Sequence, residues 1–208
     1  MLTNLGNIGF IGDLSVQDAD ILAMYATRHL HILEFGVGGS TQIIAQCMPK
    51  TLISIDTDLG WINRTKENLA LIEQKSDVTF GQYAETPVLT TDKKFGMVLI
   101  DGVDNLREDF AKFAWQLIDI NGVMLFHDTR RPADFSNVAE VAKHFFNEIS
   151  LIEVNARASN GKSSNITVLH KKVHEPYVDW NVAEGKPAWA FGGAPNADNN
   201  PFWKQPGV

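Results

Sequence analysis

Three glycines stand where a strand-like segment passes into a helix-like one, in the run EFGVGGST at residues 34–41. Glycine at such a junction lets the backbone turn tightly and lets a ligand approach the N-terminus of the following helix, as in dinucleotide sites. The dinucleotide pattern G-x-G-x-x-G requires a glycine at position 41, which is Thr41 here. A nicotinamide-dependent oxidoreductase is therefore disfavoured.

Two carboxylates indicate which ligand the loop accepts. Glu34 stands two residues before Gly36, where it would repel a pyrophosphate and attract an ammonium or sulfonium group. Asp56 ends the next apolar segment, 20 residues after Gly36, where an acidic side chain accepts hydrogen bonds from ribose hydroxyls. Together they indicate a nucleoside with a positively charged tail, which is the chemistry of S-adenosylmethionine. The alternative, a tight turn with Asp56 as a helix cap, does not predict this joint spacing.

A second group of reactive side chains follows two later apolar segments. Asp101 ends MVLID at 97–101, and His127 and Asp128 end VMLFHD at 123–128. If these segments are neighbouring parallel strands, with backbones about 4.8 Å apart, the carboxylates of Asp101 and Asp128 can share one cation. Hard oxygen ligands suit magnesium, calcium or manganese, and such an ion lowers the pKa of a bound hydroxyl and positions it.

Two other interpretations of these residues remain open. His127 or Asp128 acts as a general base, since histidine titrates near neutral pH and needs no metal. Alternatively, His127 is a structural histidine at a strand end and Asp101 a turn residue. Arg130 and Arg131 follow directly, and they either hold an anionic group of a substrate or form an ordinary solvated loop.

The segments ILEFGVGGST, SIDTD, FGMVLIDG and GVMLFHDT, in this order, resemble the motifs of the class I S-adenosylmethionine-dependent methyltransferases. The resemblance spans roughly residues 15–172. It implies a Rossmann-like, doubly wound α/β domain with a mostly parallel seven-stranded sheet and helices on both faces. It also implies an enzyme that transfers a methyl group to a small-molecule or carbohydrate-like acceptor, at oxygen. A non-catalytic binding or assembly protein with the same fold is the alternative.

The resemblance assigns roles to individual residues. It implies that Glu34, Gly36 and Gly38 contact the methionine portion of the cofactor, that Asp56 contacts the ribose, and that Thr57 or Trp61 flanks the adenine. A polar residue after the third strand is expected near the adenine amine. The predicted cofactor-binding residues are thus Glu34, Gly36, Gly38, Ser40, Asp56, Thr57, Gln82, Tyr83 and Asp101, with Glu85 as a further candidate for the adenine position.

The predicted catalytic residues are Asp101, His127 and Asp128, and the two aspartates are also the predicted ligands of a divalent cation. The resemblance here is to metal-dependent O-methyltransferases of the catechol and sugar-modifying kinds, which carry aspartates at these positions. Thr129 departs from the catechol type, in which an asparagine follows the second aspartate.

These residues must be positioned by alternating helices and strands. Apolar runs predict seven strands, at 31–35, 51–56, 77–80, 97–101, 123–127, 151–154 and 166–170. Ser15 with Asp18 predicts a capping box that opens the first helix, and Asn105 with Glu108 predicts the start of the helix after the fourth strand. This alternation is typical of a parallel sheet with helices on both faces.

Composition limits the remaining possibilities. The chain has 208 residues and a net charge of −7, which suits one domain and disfavours nucleic-acid binding. Because the sequence has no long apolar stretch and no basic start, we expect a cytoplasmic protein with no membrane association. Residues 175–208 hold three of the five tryptophans and most of the prolines. We expect this tail to pack on the domain of residues 1–174 or to form a homo-oligomer contact.

Overall fold

The computed structural model describes residues 14–155 and 164–172. Its strands are β1 (His31–Phe35), β2 (Thr51–Asp56), β3 (Asp77–Gln82), β4 (Phe95–Ile100), β5 (Ile118–Phe126), β6 (Ile149–Val154) and β7 (Thr167–Lys171). Its α-helices are α1 (Val16–Ala26), α2 (Gly39–Gln46), α3 (Leu59–Leu69), α4 (Thr86–Thr90), α5 (Arg107–Trp115) and α6 (Pro132–His144). The seven predicted strands are all present, and β5 begins earlier than predicted.

The sheet has the order β3-β2-β1-β4-β5-β7-β6. The pairs β1–β2, β1–β4, β2–β3 and β4–β5 are parallel, whereas β7 runs antiparallel to both β5 and β6. The chain moves outward from β1 to β3 and then returns to place β4 on the other side of β1. Strand order therefore reverses between β1 and β4, and ligands bind beyond the carboxyl ends of the strands at such a point.

Two hydrophobic cores cover the two faces of the sheet. Side chains of α5 and α6, including the fully buried Trp115, pack on one face, and side chains of α1 and α2, including Leu22 and Ile43, pack on the other. The central strands carry runs such as FGMVLI, as expected for strands buried on both faces. Each large apolar side chain buried in this way contributes about 1.5–3 kcal/mol. The predicted doubly wound fold is confirmed.

The helix starts near the site follow the sequence prediction in one case and not in the other. Ser15 and Asp18 form the predicted capping box at the start of α1. The predicted cap at Asn105 is wrong, because this residue lies in a 3₁₀ helix at Asp104–Leu106. Leu106 precedes α5 without a side-chain hydrogen bond, and Arg107 is the first residue of the helix.

The C-terminal tail at 175–208, with its predicted packing or oligomer contact, lies outside the described residues. Among the helices that the structure describes, none combines the length and the apolar character needed to cross a membrane.

Candidate functional site

The glycine loop between β1 and α2 packs directly against the ends of β2 and β4. Gly36 has a φ of +98°, and its backbone N–H donates to the Ile55 carbonyl at 2.8 Å. A Cβ atom at this position would lie 2.5 Å from the carbonyl carbon and oxygen of Asp101. Glycine is required here both by the backbone conformation and by the close approach of the neighbouring strand.

Asp56, at the end of β2, holds this loop in place. Its Oδ2 accepts a hydrogen bond from the Val37 backbone N–H at 2.8 Å, and its Oδ1 accepts one from the Asp58 N–H at 2.9 Å. A carboxylate has about four acceptor positions, so each oxygen retains capacity for a further donor. Asp56 can therefore fix the loop and accept hydrogen bonds from ligand hydroxyls at the same time.

A cavity of about 380 Å³ opens between the ends of β1, β2 and β4. Its walls are residues 36–40, residues 56–58 with Trp61, residues 101–103, and Leu14, Arg107 and Asp128. The predicted site residues that line it are Gly36, Gly38, Ser40, Asp56, Thr57, Asp101 and Asp128. The cavity lies at the strand-order reversal, where this fold class places its ligands.

The structure does not bring Glu34 to the cavity wall, although the sequence analysis assigned it to the methionine portion of the ligand. Its side chain is fully buried and accepts hydrogen bonds from the hydroxyls of Ser40, Thr41 and Ser54 at 2.5–2.7 Å. Burial raises the pKa of Glu34 to about 7, although these hydroxyls act in the opposite direction. Glu34 thus ties α2 and β2 to β1 from beneath the glycine loop.

Gln82 and Tyr83 are also not among the residues that line this cavity. The backbone N–H of Gln82 donates to the Glu85 carboxylate at 2.7 Å. The Tyr83 ring packs edge-on against Phe110 and lines a separate, mainly apolar cavity of about 260 Å³ between α4 and α5. Their predicted adenine contact therefore stays a prediction, whereas Thr57 and Trp61 both face the main cavity.

Asp101, His127 and Asp128 come together as predicted, just beyond the adjacent ends of β4 and β5. The His127 ring Nδ1 lies 3.0 Å from Asp101 Oδ1 and 3.5 Å from Asp128 Oδ1. Asp128 has a positive φ of 61°, a conformation that aspartate tolerates better than most residues. The two aspartates line the cavity, while His127 is 2% exposed and lies behind them.

His127 is held between carboxylates on both sides. Its Nε2 lies 3.5 Å from Oδ2 of Asp18, which is fully buried in the first turn of α1. Burial alone would lower the pKa of His127, but the carboxylates of Asp101, Asp18 and Asp128 outweigh this effect and raise the pKa to about 10. An imidazole that is already protonated at neutral pH cannot accept a proton, which argues against His127 as the general base.

Asp18 is a member of this group that sequence reasoning assigned only to a helix cap. Its Oδ1 accepts from the Ser164 hydroxyl at 2.8 Å and from the Asn165 backbone N–H at 2.6 Å. Burial would raise the pKa of Asp18, but the neighbouring His127 ring and the hydrogen bonds from Ser15 and residues 164–165 hold the pKa well below its usual range. The capping box signalled its local role, and only the fold brings it to His127.

Arg107 is the second residue that the sequence analysis missed. Its side chain is 5% exposed, and its Nη2 lies 3.4 Å from Asp101 Oδ1 and 3.2 Å from Asp128 Oδ2. Its Nη1 donates to Asp134 Oδ1 at 2.9 Å. No spacing signal marks this arginine, because it reaches the aspartates only through the packing of α5 against the end of β4.

Arg131 also pairs with carboxylates of the protein. It donates to Asp128 Oδ2 at 2.7 Å and to Asp134 Oδ2 at 2.6 Å, and its side chain is about half exposed. Neither sequence interpretation, a substrate clamp or a solvated loop, described this role. Arg131 lies on the solvent side of the acidic cluster formed by Asp101 and Asp128.

The donor set resembles a metal site in one respect and differs from it in another. One ligand atom each from Asp101, His127 and Asp128 lie within 4.8 Å of one another, a grouping compatible with a divalent cation. However, the buried Arg107 guanidinium already bridges the two carboxylates, with its Nη2 3.4 Å from Asp101 Oδ1 and 3.2 Å from Asp128 Oδ2. In the described arrangement, these residues do not fit a bound metal ion.

Comparison with known proteins agrees with this architecture. No protein-family model matches the sequence, and no curated protein matches it significantly. The O-methyltransferase TomG from Streptomyces achromogenes, solved in complex with SAM, is 16% identical with a TM-score of 0.64, and the match covers 77% of this chain and 82% of that chain. An O-methyltransferase from Bacillus cereus in complex with SAH is 13% identical with a TM-score of 0.64, over 80% of this chain and 86% of that one.

A third solved structure, a methyltransferase-like protein from Silicibacter pomeroyi, is 19% identical with a TM-score of 0.56, over 80% of this chain and 90% of that chain. Similarity at this level of identity concerns the arrangement of strands and helices. The strand order, the glycine loop at the β1–β4 reversal and these similarities agree with the resemblance seen in the sequence. The chain therefore has the fold of the class I S-adenosylmethionine-dependent methyltransferases.

Proposed function

We propose that this protein is an enzyme that transfers the methyl group of S-adenosylmethionine to an oxygen atom of a small-molecule acceptor. The observation that carries the proposal is the joint position of Gly36 and Asp56 on one cavity. Gly36 lines the cavity and lets the loop pack against the end of β4, and Asp56 retains acceptor capacity for ribose hydroxyls while it anchors the loop. The cavity volume of about 380 Å³ is within the range of small-ligand sites.

The bound donor supplies an electrophilic methyl group on a sulfonium, and the reaction forms an oxygen–carbon bond as the sulfur–carbon bond breaks. Asp56 and Asp58 on the cavity wall favour this cationic donor over a pyrophosphate. Asp101 and Asp128 lie on the same wall as the glycine loop, and we assign one of this pair to accept the proton of the acceptor hydroxyl. His127, already protonated, orients Asp101 through the 3.0 Å contact.

Calorimetric titration tests the cofactor part of this proposal. S-adenosylmethionine and S-adenosylhomocysteine should bind, and NAD should not. Asp56→Ala should weaken binding by about 1–3 kcal/mol, the scale of a lost hydrogen bond to a charged group. Asp77→Ala is the matched control, since this aspartate is exposed at the amino end of β3, opposite the cavity. Binding of NAD without either sulfur ligand would overturn the proposal.

Turnover tests the catalytic part. Of the variants Asp101→Asn and Asp128→Asn, at least one should retain S-adenosylhomocysteine binding and lose methyl transfer to a competent acceptor, because the amide cannot accept a proton as the carboxylate does. Binding of the cofactor without transfer to any acceptor in a broad panel of hydroxyl compounds would instead favour the alternative, a non-catalytic binding or assembly protein.

A further inference from the structure

The two carboxylates of the acidic cluster are already bridged by a positive charge that belongs to the protein. Arg107 Nη2 donates to both Asp101 Oδ1 and Asp128 Oδ2, at 3.4 and 3.2 Å. A divalent ion shared by Asp101 and Asp128 would compete with the guanidinium for the charge of these carboxylates and would be repelled by it. The guanidinium already in place therefore disfavours such an ion.

The guanidinium is fixed by further bonds that do not involve the aspartates of the cavity wall. Its Nε donates to the Gly102 carbonyl at 2.8 Å, and its Nη1 donates to the His127 carbonyl at 3.2 Å and to Asp134 at 2.9 Å. These contacts bring the total to five hydrogen bonds, which is the full donor capacity of an arginine. Displacing Arg107 would break all five in a buried environment, where unpaired polar groups are costly.

The positions of the other charges agree with a permanent cation here. Arg131 contacts Asp128 Oδ2 from the solvent side, and the His127 ring approaches both aspartates from behind. The carboxylates of the pair thus face two guanidinium groups of the protein. A further doubly charged ion would meet Arg107 and Arg131 at this point and be repelled by both.

We propose that the Arg107 guanidinium is the resident cation of this site and takes the place of a divalent metal, so that the protein binds its acceptor without metal chelation. Arg107 is a positioning residue in this scheme, because it holds Asp101 and Asp128 in place and has no donor left for the acceptor. Acceptor binding without a metal rests on the proposed function. The replacement of the metal by Arg107 does not, since it concerns only which cation contacts the carboxylates of Asp101 and Asp128.

Manganese binding to the full chain tests the proposal directly. The paramagnetic resonance signal of free Mn²⁺ disappears when the ion binds, and it should persist when Mn²⁺ is titrated into the protein, with or without S-adenosylhomocysteine. One equivalent of Mn²⁺ bound in the micromolar range by the wild type, and lost in Asp101→Asn and Asp128→Asn, would overturn the proposal. Weak binding that is unchanged in both variants lies elsewhere on the acidic surface and leaves the proposal standing.

Nitrogen-15 NMR of the arginine side chains supplies a second readout that does not depend on turnover. A guanidinium with five hydrogen bonds should give protected, separately resolved Nη resonances, assigned by their loss in Arg107→Lys. Addition of Mg²⁺ should leave these resonances unchanged, whereas a shift or loss at Arg107 on Mg²⁺ addition would contradict the proposal.

Titration of S-adenosylhomocysteine into the same sample keeps the two hypotheses distinct. Failure of that ligand to bind, with Arg107 still protected, would overturn the proposed function and not the assignment of Arg107.

Discussion

Gly36 and Asp101 are in such close contact that a Cβ atom on residue 36 would lie 2.5 Å from the Asp101 carbonyl oxygen. The Asp101 N–H also donates to the Phe35 carbonyl at 2.7 Å, so the ends of β1 and β4 are joined on both sides of the glycine. The glycine loop that lines the cavity and Asp101 of the acidic cluster are therefore held rigidly together.

Substitution of this glycine should damage both stability and ligand binding. Gly36→Ala places a methyl group against backbone atoms that cannot rotate away, in a backbone conformation that L-residues rarely adopt, and should cost more than about 2 kcal/mol. Urea denaturation measures this loss, and calorimetry with S-adenosylhomocysteine should detect no binding. Gly60→Ala is the control, because the nearest atom to its new methyl is a side-chain oxygen of Asp58 at 3.0 Å, and it should change stability far less.

Thr41 occupies the position of the missing third glycine, and restoring that glycine should not restore dinucleotide binding. The Thr41 hydroxyl donates to Glu34 at 2.7 Å and accepts from the Gly38 N–H at 3.0 Å. Thr41→Gly removes both bonds and should cost about 1–3 kcal/mol in the free energy of unfolding, with weaker S-adenosylhomocysteine binding and none of NAD. Thr41→Ser keeps the hydroxyl and should lose less. Measurable NAD affinity in Thr41→Gly would contradict this account.

The buried Glu34 should make stability depend on pH. Its pKa is about 7 in the folded chain and about 4.5 when exposed, so the folded state holds an extra proton between these pH values. The free energy of unfolding should therefore fall as the pH rises from about 4.5 to 7, by up to about 3 kcal/mol. Glu34→Gln has no proton to lose, and the difference between the wild-type and variant curves should isolate this effect. A difference that is flat across this range would show that Glu34 does not titrate there.

The two arginines of the acidic cluster should differ sharply in their contribution to stability. Arg107→Met removes the hydrogen bonds of a buried guanidinium and takes one of two arginine partners from Asp128 and Asp134, and it should cost about 3–5 kcal/mol. Arg131→Gln removes ion pairs of a half-exposed side chain and should cost about 1 kcal/mol or less. Equal losses in urea denaturation would mean that Arg107 is not the central cation of the cluster.

The sequence by itself determined the parts of this protein that depend on local order along the chain. Runs such as TLISID and FGMVLI fixed the central strands, since continuous apolar segments must be covered on both faces. The spacing between Gly36 and Asp56 predicted a loop and a carboxylate at one cavity, because Gly36 follows β1 and Asp56 ends β2, the parallel strand beside it. Asp101 and Asp128 lie close together for the same reason, since they stand beyond the ends of the adjacent parallel strands β4 and β5.

The tertiary structure alone decided which side chains reach the ligand and which charges balance the aspartates. Glu34 carries the right charge at the right distance from Gly36, yet three hydroxyls from α2 and β2 enclose it. Arg107 and Asp18 belong to helices on opposite faces of the sheet, and both converge on His127 and its neighbouring aspartates. Such contacts depend on how helices pack across the sheet, a geometry that periodicity and spacing along one chain do not encode.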